Sequence, residues 1–246
     1  MRIFVTGAGS ALGRAVCARL AEHTLICLRH RAPVPGTPVP GCLERPETYR
    51  DATRDADAVI HLAAETHARR ERYYRVNVEG TRALLSEASG HFVYVSTRTT
   101  GGAYADSKRR AEALVRGSGL PWTILRPSEI LNSRLLTMRL FPIPIWPTPP
   151  PLAPVELDAV AGAIARCVGD TACFGKTYLL AGKRATFGDL RKRSGAWPFP
   201  LPLLPLHAAA AAGVLPIVAP DQVARLLGPK ETDISAARRD LGFLAE

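Results

Sequence analysis

The 246-residue chain has no Cys-x-x-Cys pair, no internal repeat, no block of like charge and no nucleic-acid motif. Its cysteines, Cys17, Cys27, Cys42, Cys167 and Cys173, are odd in number and not spaced as pairs. They indicate neither a disulfide framework nor a metal site, and read as small buried residues of a reducing compartment. The most apolar stretch, Leu201 to Ala219, is interrupted by Pro202, Pro205, His207 and Pro216. The helix left between these breaks is too short to cross ~30 Å of hydrocarbon, so a buried helix is expected and no membrane partner. Without aromatic and basic residues interleaved, the net charge of +10 reads as a basic surface favouring phosphate-bearing cofactors and anionic substrates, with no nucleic acid as partner. The first expected strand begins at residue 2, which leaves no room for a signal peptide and sets a cytoplasmic expectation. A hydrophobic content of 47% and a charged content of 22% describe an ordinary globular chain, one domain or one domain with a small lobe.

What the chain does have is a glycine-rich opening, MRIFVTGAGSALG. Ile3 to Thr6 favour a strand, and Ala11 to Ala21 space Leu12, Ala15, Val16 and Leu20 along one side of a helix. A tight strand-to-helix turn directs free N–H groups and the positive end of the helix dipole at one spot, which suits a pyrophosphate. Gly7 supplies unusual backbone angles, Gly9 removes a side chain from the approach, and Gly13 lets the helix sit close to the strand.

Further strands are expected at Thr24–Leu28, Ala58–Ala64, His91–Val95, Leu120–Pro127 and Lys176–Ala181. Helices are expected at Arg75–Ala88, across Tyr104–Glu112, at Val155–Val168 and, with a cap, at Thr186–Lys192. Ala32–Gly41, with four prolines and two glycines, reads as a loop. Phe141–Pro154, with seven prolines, reads as irregular and as a stiff lid over the site. Trp146 on that lid, with Trp197 and Phe199 in a second Pro-rich turn, would give the pocket a flat apolar wall suited to a ring-bearing substrate. His61 reads as a packed structural histidine, since no partner is spaced to work with it.

These segments resemble the extended and atypical short-chain dehydrogenase/reductases along nearly the whole chain. Thr6, Gly7 and Gly13 match the turn T-G-x-x-G-x-x-G, with Ser10 where the middle glycine is usual. Asp57 to Ala64 match D-x-V-I-H-L-A-A, and Asn77 lies in an element similar to v-N-v-x-G-T. Tyr104, Ser107, Lys108, Ala111 and Glu112 match Y-x-x-S-K-x-x-A-E, and Leu120 to Pro127 match l-P-x-T-I-L-R-P. The resemblance implies an α/β fold: a doubly wound, mainly parallel Rossmann sheet with a small C-terminal substrate-binding lobe. It divides the chain into a cofactor core, residues 1–128, and a mainly substrate-binding lobe and lid, residues 129–246, with one strand, 176–181, returning to the sheet.

On the same basis Thr6, Gly7, Gly9, Ser10, Ala11, Leu12, Gly13, Leu62, Ala63, Ala64, Lys108 and Pro127 would hold the cofactor. Arg29 and Arg31 follow the second strand, where an arginine accommodates the 2′-phosphate of NADP and an acid the 2′-hydroxyl of NAD, and no acid appears before Glu44. NADPH (NADP+) is therefore the expected cofactor. Cys42 replaces the family's adenine-binding Asp. The implied catalytic set is Ser96, Thr97, Tyr104 and Lys108, with Asn77 in support. Tyr104 and Lys108 are one helical turn apart, and an ammonium beside a phenol favours its ionised form. Tyr104 stands only eight positions after Ser96, a shorter loop than in the family. The expected function is an NADPH-dependent ketoreductase acting on a sizeable apolar or ring-bearing small molecule, for which an aromatic polyketide or other secondary metabolite is a suitable class. The alternatives are a non-catalytic NADP(H)-binding sensor or assembly protein, and a sugar-nucleotide epimerase.

Overall fold

The computed structural model describes residues 1–66, 70–131, 140–145, 149–211, 227–228 and 233–244. The strands are β1 (Arg2–Thr6), β2 (Thr24–Arg29), β3 (Thr37–Pro40), β4 (Ala58–His61), β5 (His91–Val95), β6 (Trp122–Pro127), β7 (Ile130–Leu131), β8 (Leu140–Ile145), β9 (Val155–Glu156), β10 (Lys176–Leu180) and β11 (Trp197–Pro202). The α-helices are α1 (Ala11–Arg19), α2 (Arg50–Arg54), α3 (Arg70–Tyr73), α4 (Gly80–Glu87), α5 (Gly102–Arg116), α6 (Leu157–Cys167), α7 (Phe187–Ser194), α8 (Leu203–Ala211) and α9 (Ser235–Leu241).

Seven strands form one sheet in the order β10-β6-β5-β4-β1-β2-β3, with every neighbouring pair parallel. Alternation along β1 explains the layers. Ile3 and Val5 face a core shared with Val16 and Cys17 of α1 and Val160 and Ile164 of α6. Phe4 faces the opposite core, with Leu84 of α4 and Ala111 and Val115 of α5. A sheet covered on both faces needs strands that are apolar throughout, and β4 and β5 are buried along their whole length. The expected doubly wound α/β fold is what the chain forms, and it brings the C-terminal ends of β1, β2, β4, β5 and β6 to one edge. Residues 155–180 belong to this layered core, because α6 packs on α1 and β10 pairs with β6.

Three expectations about proline are corrected. Within Ala32–Gly41, Thr37–Pro40 forms β3, pairing Ile26 with Thr37 and Arg29 with Pro40 at the sheet edge. Phe141–Pro154 is not wholly irregular, since β8 pairs in parallel with β11, the segment read as a turn. Prolines recur at every second position, Pro142 and Pro144 in β8 and Pro198, Pro200 and Pro202 in β11. The missing donors thus fall on positions an edge can leave facing outward. The lid residue Trp146 lies outside the described residues. Trp197 and Phe199 are 78% and 49% exposed, and form no wall of the cleft described below. The apolar stretch from Leu201 begins in β11 and continues as α8, its part beyond Ala211 lying outside the described residues. Among the described residues no helix is long and apolar enough to cross a membrane.

Candidate cofactor and active site

The turn after β1 is built as its glycines require. Gly7 sits at φ +75°, and a Cβ there would stand 2.7 Å from the Ala63 nitrogen. A Cβ on Gly13 would meet the Gly7 carbonyl oxygen at 2.3 Å, so only glycine lets α1 approach this closely. Ser10, at the position where the family's middle glycine is usual, caps α1 by accepting from the Gly13 N–H at 3.0 Å. The amides of Ala11 and Leu12, first in the helix, donate to nothing among the described residues. Orphan donors at a helix N-terminus beside a cleft fit the pyrophosphate of a dinucleotide.

The cleft beside this turn has a volume of about 490 Å³. Gly7, Gly9, Ser10, Arg31, Leu62, Ala63 and Ala64 line it, as the sequence suggested. Cys42 lines it too, in the place of the family's adenine-binding Asp. Arg29 does not: it closes β2 exposed and paired to Pro40, while His30 and Arg31 turn in beyond it. The reason is the pleat, since Leu28 lines the cleft and the next residue of a strand faces the other way. Glu44, Glu65 and Arg72 also line the cleft, unforeseen because they arrive from three separate loops and helices. Arg72 binds Glu65 at 2.6 Å and Glu44 binds Arg75 at 2.6 Å, so both carboxylates already have cationic partners.

Behind the turn runs a buried relay. The Ala63 N–H donates to Thr6 Oγ1 at 3.2 Å, and Thr6 Oγ1 lies 2.6 Å from His61 Nδ1. His61 Nε2 lies 2.9 Å from Thr81 Oγ1, whose hydroxyl donates to the Asn77 carbonyl at 2.7 Å. Thr81 therefore accepts from His61, which fixes an Nε2–H tautomer with Nδ1 accepting from Thr6. Burial, with Lys108 adding to it, pushes His61 down to about 3. A neutral histidine at working pH in a closed network is structural, as expected.

Asn77 lies in a π-helix, Tyr74–Glu79, inserted before α4, an irregularity the sequence pattern did not show. Its side chain takes the Glu65 N–H at 2.8 Å, donates to the Glu65 carbonyl at 3.1 Å, and donates to Ser107 Oγ at 3.0 Å. Ser107 in turn donates to the Tyr104 carbonyl at 2.7 Å. Asn77 thus ties the cleft wall to the first turn of α5, a positioning role.

On α5, Tyr104 and Lys108 leave the same side of the helix. Tyr104 is half-buried, with its ring edge-on to Tyr73 at 5.8 Å. Lys108 is 2% exposed, with Nζ 4.2 Å from the centre of the Tyr94 ring. Burial lowers its ammonium to about 7 against the opposing pull of Glu112. Of the two hydroxyls after β5, Ser96 is closed in, and its Oγ lies near Glu112 without a hydrogen bond. Thr97 is half-buried, with Oγ1 accepting from the Thr99 N–H at 3.3 Å, and is the one open to a ligand. Thr97, Tyr104, Lys108 and Pro127 flank the sheet edge beyond the cleft itself and are not among its lining residues.

The lowered Lys108 value makes a stability prediction. Between about pH 7 and ~10 the unfolded chain holds a proton on this lysine that the folded chain releases, so folding stability rises with pH across that window. Melting temperatures read from about pH 6.5 to 9.5 should rise more for the wild type than for Lys108→Met, which lacks the titration. Parallel profiles would contradict a buried, depressed lysine.

The fold and the glycine turn define a Rossmann-type protein of the extended short-chain dehydrogenase/reductase class. Residues 3–131 match the profile of the NAD dependent epimerase/dehydratase family, and the chain belongs to that family. The uncharacterized protein Rv2047c of Mycobacterium tuberculosis and its counterpart Mb2073c of Mycobacterium bovis are each 28% identical over 159 residues, 60% of this chain. The chain spans only 17% of the length of these curated relatives. Among solved structures, Pal from Bacillus thuringiensis superposes with a TM-score of 0.81 at 14% identity, over 100% of this chain and 94% of that one. UDP-glucose 4-epimerase from Thermotoga maritima, solved with UDP-glucose, gives 0.78 at 17% identity over 100% and 94%. A short-chain dehydrogenase/reductase superfamily protein from Agrobacterium tumefaciens with bound NAD gives 0.74 at 22% over 99% and 92%.

Proposed function

We propose that the protein is an NADP(H)-dependent ketoreductase. The reading is supported by Tyr104 and buried Lys108 standing one helical turn apart on α5, the helix that follows Thr97, on the same sheet edge as the glycine turn. The turn amides and Arg31 would hold the pyrophosphate and the 2′-phosphate, and NADPH when bound supplies the hydride. Thr97 Oγ1 orients the substrate carbonyl by donating to its oxygen. Tyr104 delivers the proton to that oxygen, and Lys108, in the protonated form it holds below about pH 7, favours the phenolate left behind. Residues 1–128 supply the cofactor site in this reading, and 129–246 mainly the substrate side, with α6, β10 and α9 counted with the sheet. An apolar or ring-bearing ketone is the first class to try, because the chain beyond β6 is rich in Pro, Leu and Ala.

Sugar-nucleotide epimerisation is the second reading, supported by the UDP-glucose in the Thermotoga structure. Against dehydratase chemistry, Arg98 and Thr99 follow Thr97 where an acid would be needed, and Arg98 is engaged by Glu129 at 2.7 Å. Incubation with NADPH deuterated at C4, together with a panel of ketones and UDP-sugars, separates the readings. The proposal expects net cofactor oxidation and deuterium in the product alcohol. Interconversion of a sugar nucleotide with no net oxidation supports the epimerase, and NADPH binding without turnover of either class supports the sensor.

A further inference from the structure

We infer that β11 and the start of α8 form a docking face for an anionic lipid bilayer surface, a partner outside the reductase reading and independent of it. The ribbon Trp197-Pro-Phe-Pro-Leu-Pro202 has no polar side chain, and five of its six residues are exposed. Trp197 is 78% exposed and Phe199 49%, and Leu204 on α8 and Ile145 at the end of β8 are exposed by 47% and 43%. The ribbon is anchored from beneath, where Ile143 of β8 packs with Leu190 of α7 and buried Ala196. It is therefore a built surface whose outer side is left apolar, and such surfaces mark protein or membrane contact.

Two features select between those occupants. A partner strand would have to pair with the free edge of β11, but the donors for the β8 ladder must come from Trp197, Phe199 and Leu201. That leaves Pro198, Pro200 and Pro202 on the free edge, where no N–H is available. A second copy of the chain would bring like charges together. Lys183, Arg184 and Lys192 are exposed and make no ion pair among the described residues. Lys192 and Arg193 end α7 and lead through Gly195, at φ +66°, straight into Trp197. Aromatic and aliphatic side chains preceded in the chain by Lys192, with no ion pair among the described residues, and by Arg193, which meets Glu156 at 3.5 Å, match the boundary of an anionic bilayer, with the rings among the acyl carbonyls and the cations at the headgroups. No membrane-crossing helix is needed for this mode, so it is compatible with the broken apolar stretch of the sequence.

Sedimentation of the full chain with extruded vesicles tests it, using phosphatidylcholine alone and phosphatidylcholine with about 30% phosphatidylglycerol. The anionic vesicles should carry down the protein, neutral vesicles much less, and high salt should release it. Trp197→Ser/Phe199→Ser and Lys192→Glu/Arg193→Glu should each reduce partitioning at least about tenfold while leaving circular dichroism unchanged. Should a variant misfold, quenching of wild-type tryptophan emission by brominated lipid reads insertion directly. The inference is overturned if the wild type ignores anionic vesicles, if the folded variants bind as well as it does, or if light scattering shows a dimer that Trp197→Ser dissolves.

Discussion

Exchanging Tyr104 for Phe lowers kcat for carbonyl reduction by at least about a hundredfold, the lower end of what a positioned general acid contributes. NADPH affinity and melting temperature stay close to wild type. The ring keeps its edge contact with Tyr73 in the variant, and Asn77 and Ser107 still hold the first turn of α5, so only the hydroxyl is lost. α5 begins at Gly102, two residues before the tyrosine, which stands eight positions after Ser96. A Phe variant that retains more than about half its activity across pH would make the tyrosine a bystander, with the proton coming from water or a substrate hydroxyl. Rates of NADPH oxidation and of alcohol formation must both be followed.

Glu112→Ala lowers folding stability by about 3 kcal/mol, read from urea unfolding. The carboxylate is 1% exposed and takes two bonds from Arg126, at 2.9 and 2.7 Å, and one from Arg116 at 2.9 Å. Removing it strips two arginines of the anion they share beneath β5 and β6. The lower end of the range applies because Arg116 and Arg126 remain 38% and 21% exposed and water screens them. Burial alone would raise the Glu112 carboxyl, but the Arg126 hydrogen bond and the other arginine contacts outweigh it and leave the value lowered. A lowered acid contributes stability that is present above the unfolded value near ~4.3 and lost as pH falls through the folded one. The difference between wild type and variant should therefore shrink in acid. A loss under about 1 kcal/mol at neutral pH would contradict the buried ion cluster.

Six of the seven strands of the sheet were legible, because runs such as Ile3–Val5 in β1, Ala58–Ile60 in β4 and Phe92–Val95 in β5 are apolar without interruption. The prolines of β3, β8 and β11 hid three strands. Proline reads as a breaker in any short window, and whether its missing donor faces a neighbour or an edge depends on distant pairing. Arg29 and Arg31 both stand after the second strand in sequence, yet the face of a strand is decided by one residue of pleat, and Arg31 is the one that lines the cleft. The π-helix that places Asn77 between Glu65 and Ser107 has no signature in a helical pattern. Ser96 and Thr97 were equivalent in sequence, and burial separates them.

In the proposed reading this edge of the sheet is a dinucleotide site that recognises a 2′-phosphate through Arg31. Calorimetric titration of NADPH and NADH into the wild type and into Arg31→Ala tests it most directly. NADPH should bind at least about tenfold more tightly than NADH. Arg31→Ala should lose roughly 1.5 to 3 kcal/mol for NADPH, the range of a charge-assisted hydrogen bond, and almost nothing for NADH. Equal dissociation constants for the two cofactors in the wild type, or an equal loss for both in the variant, would contradict it.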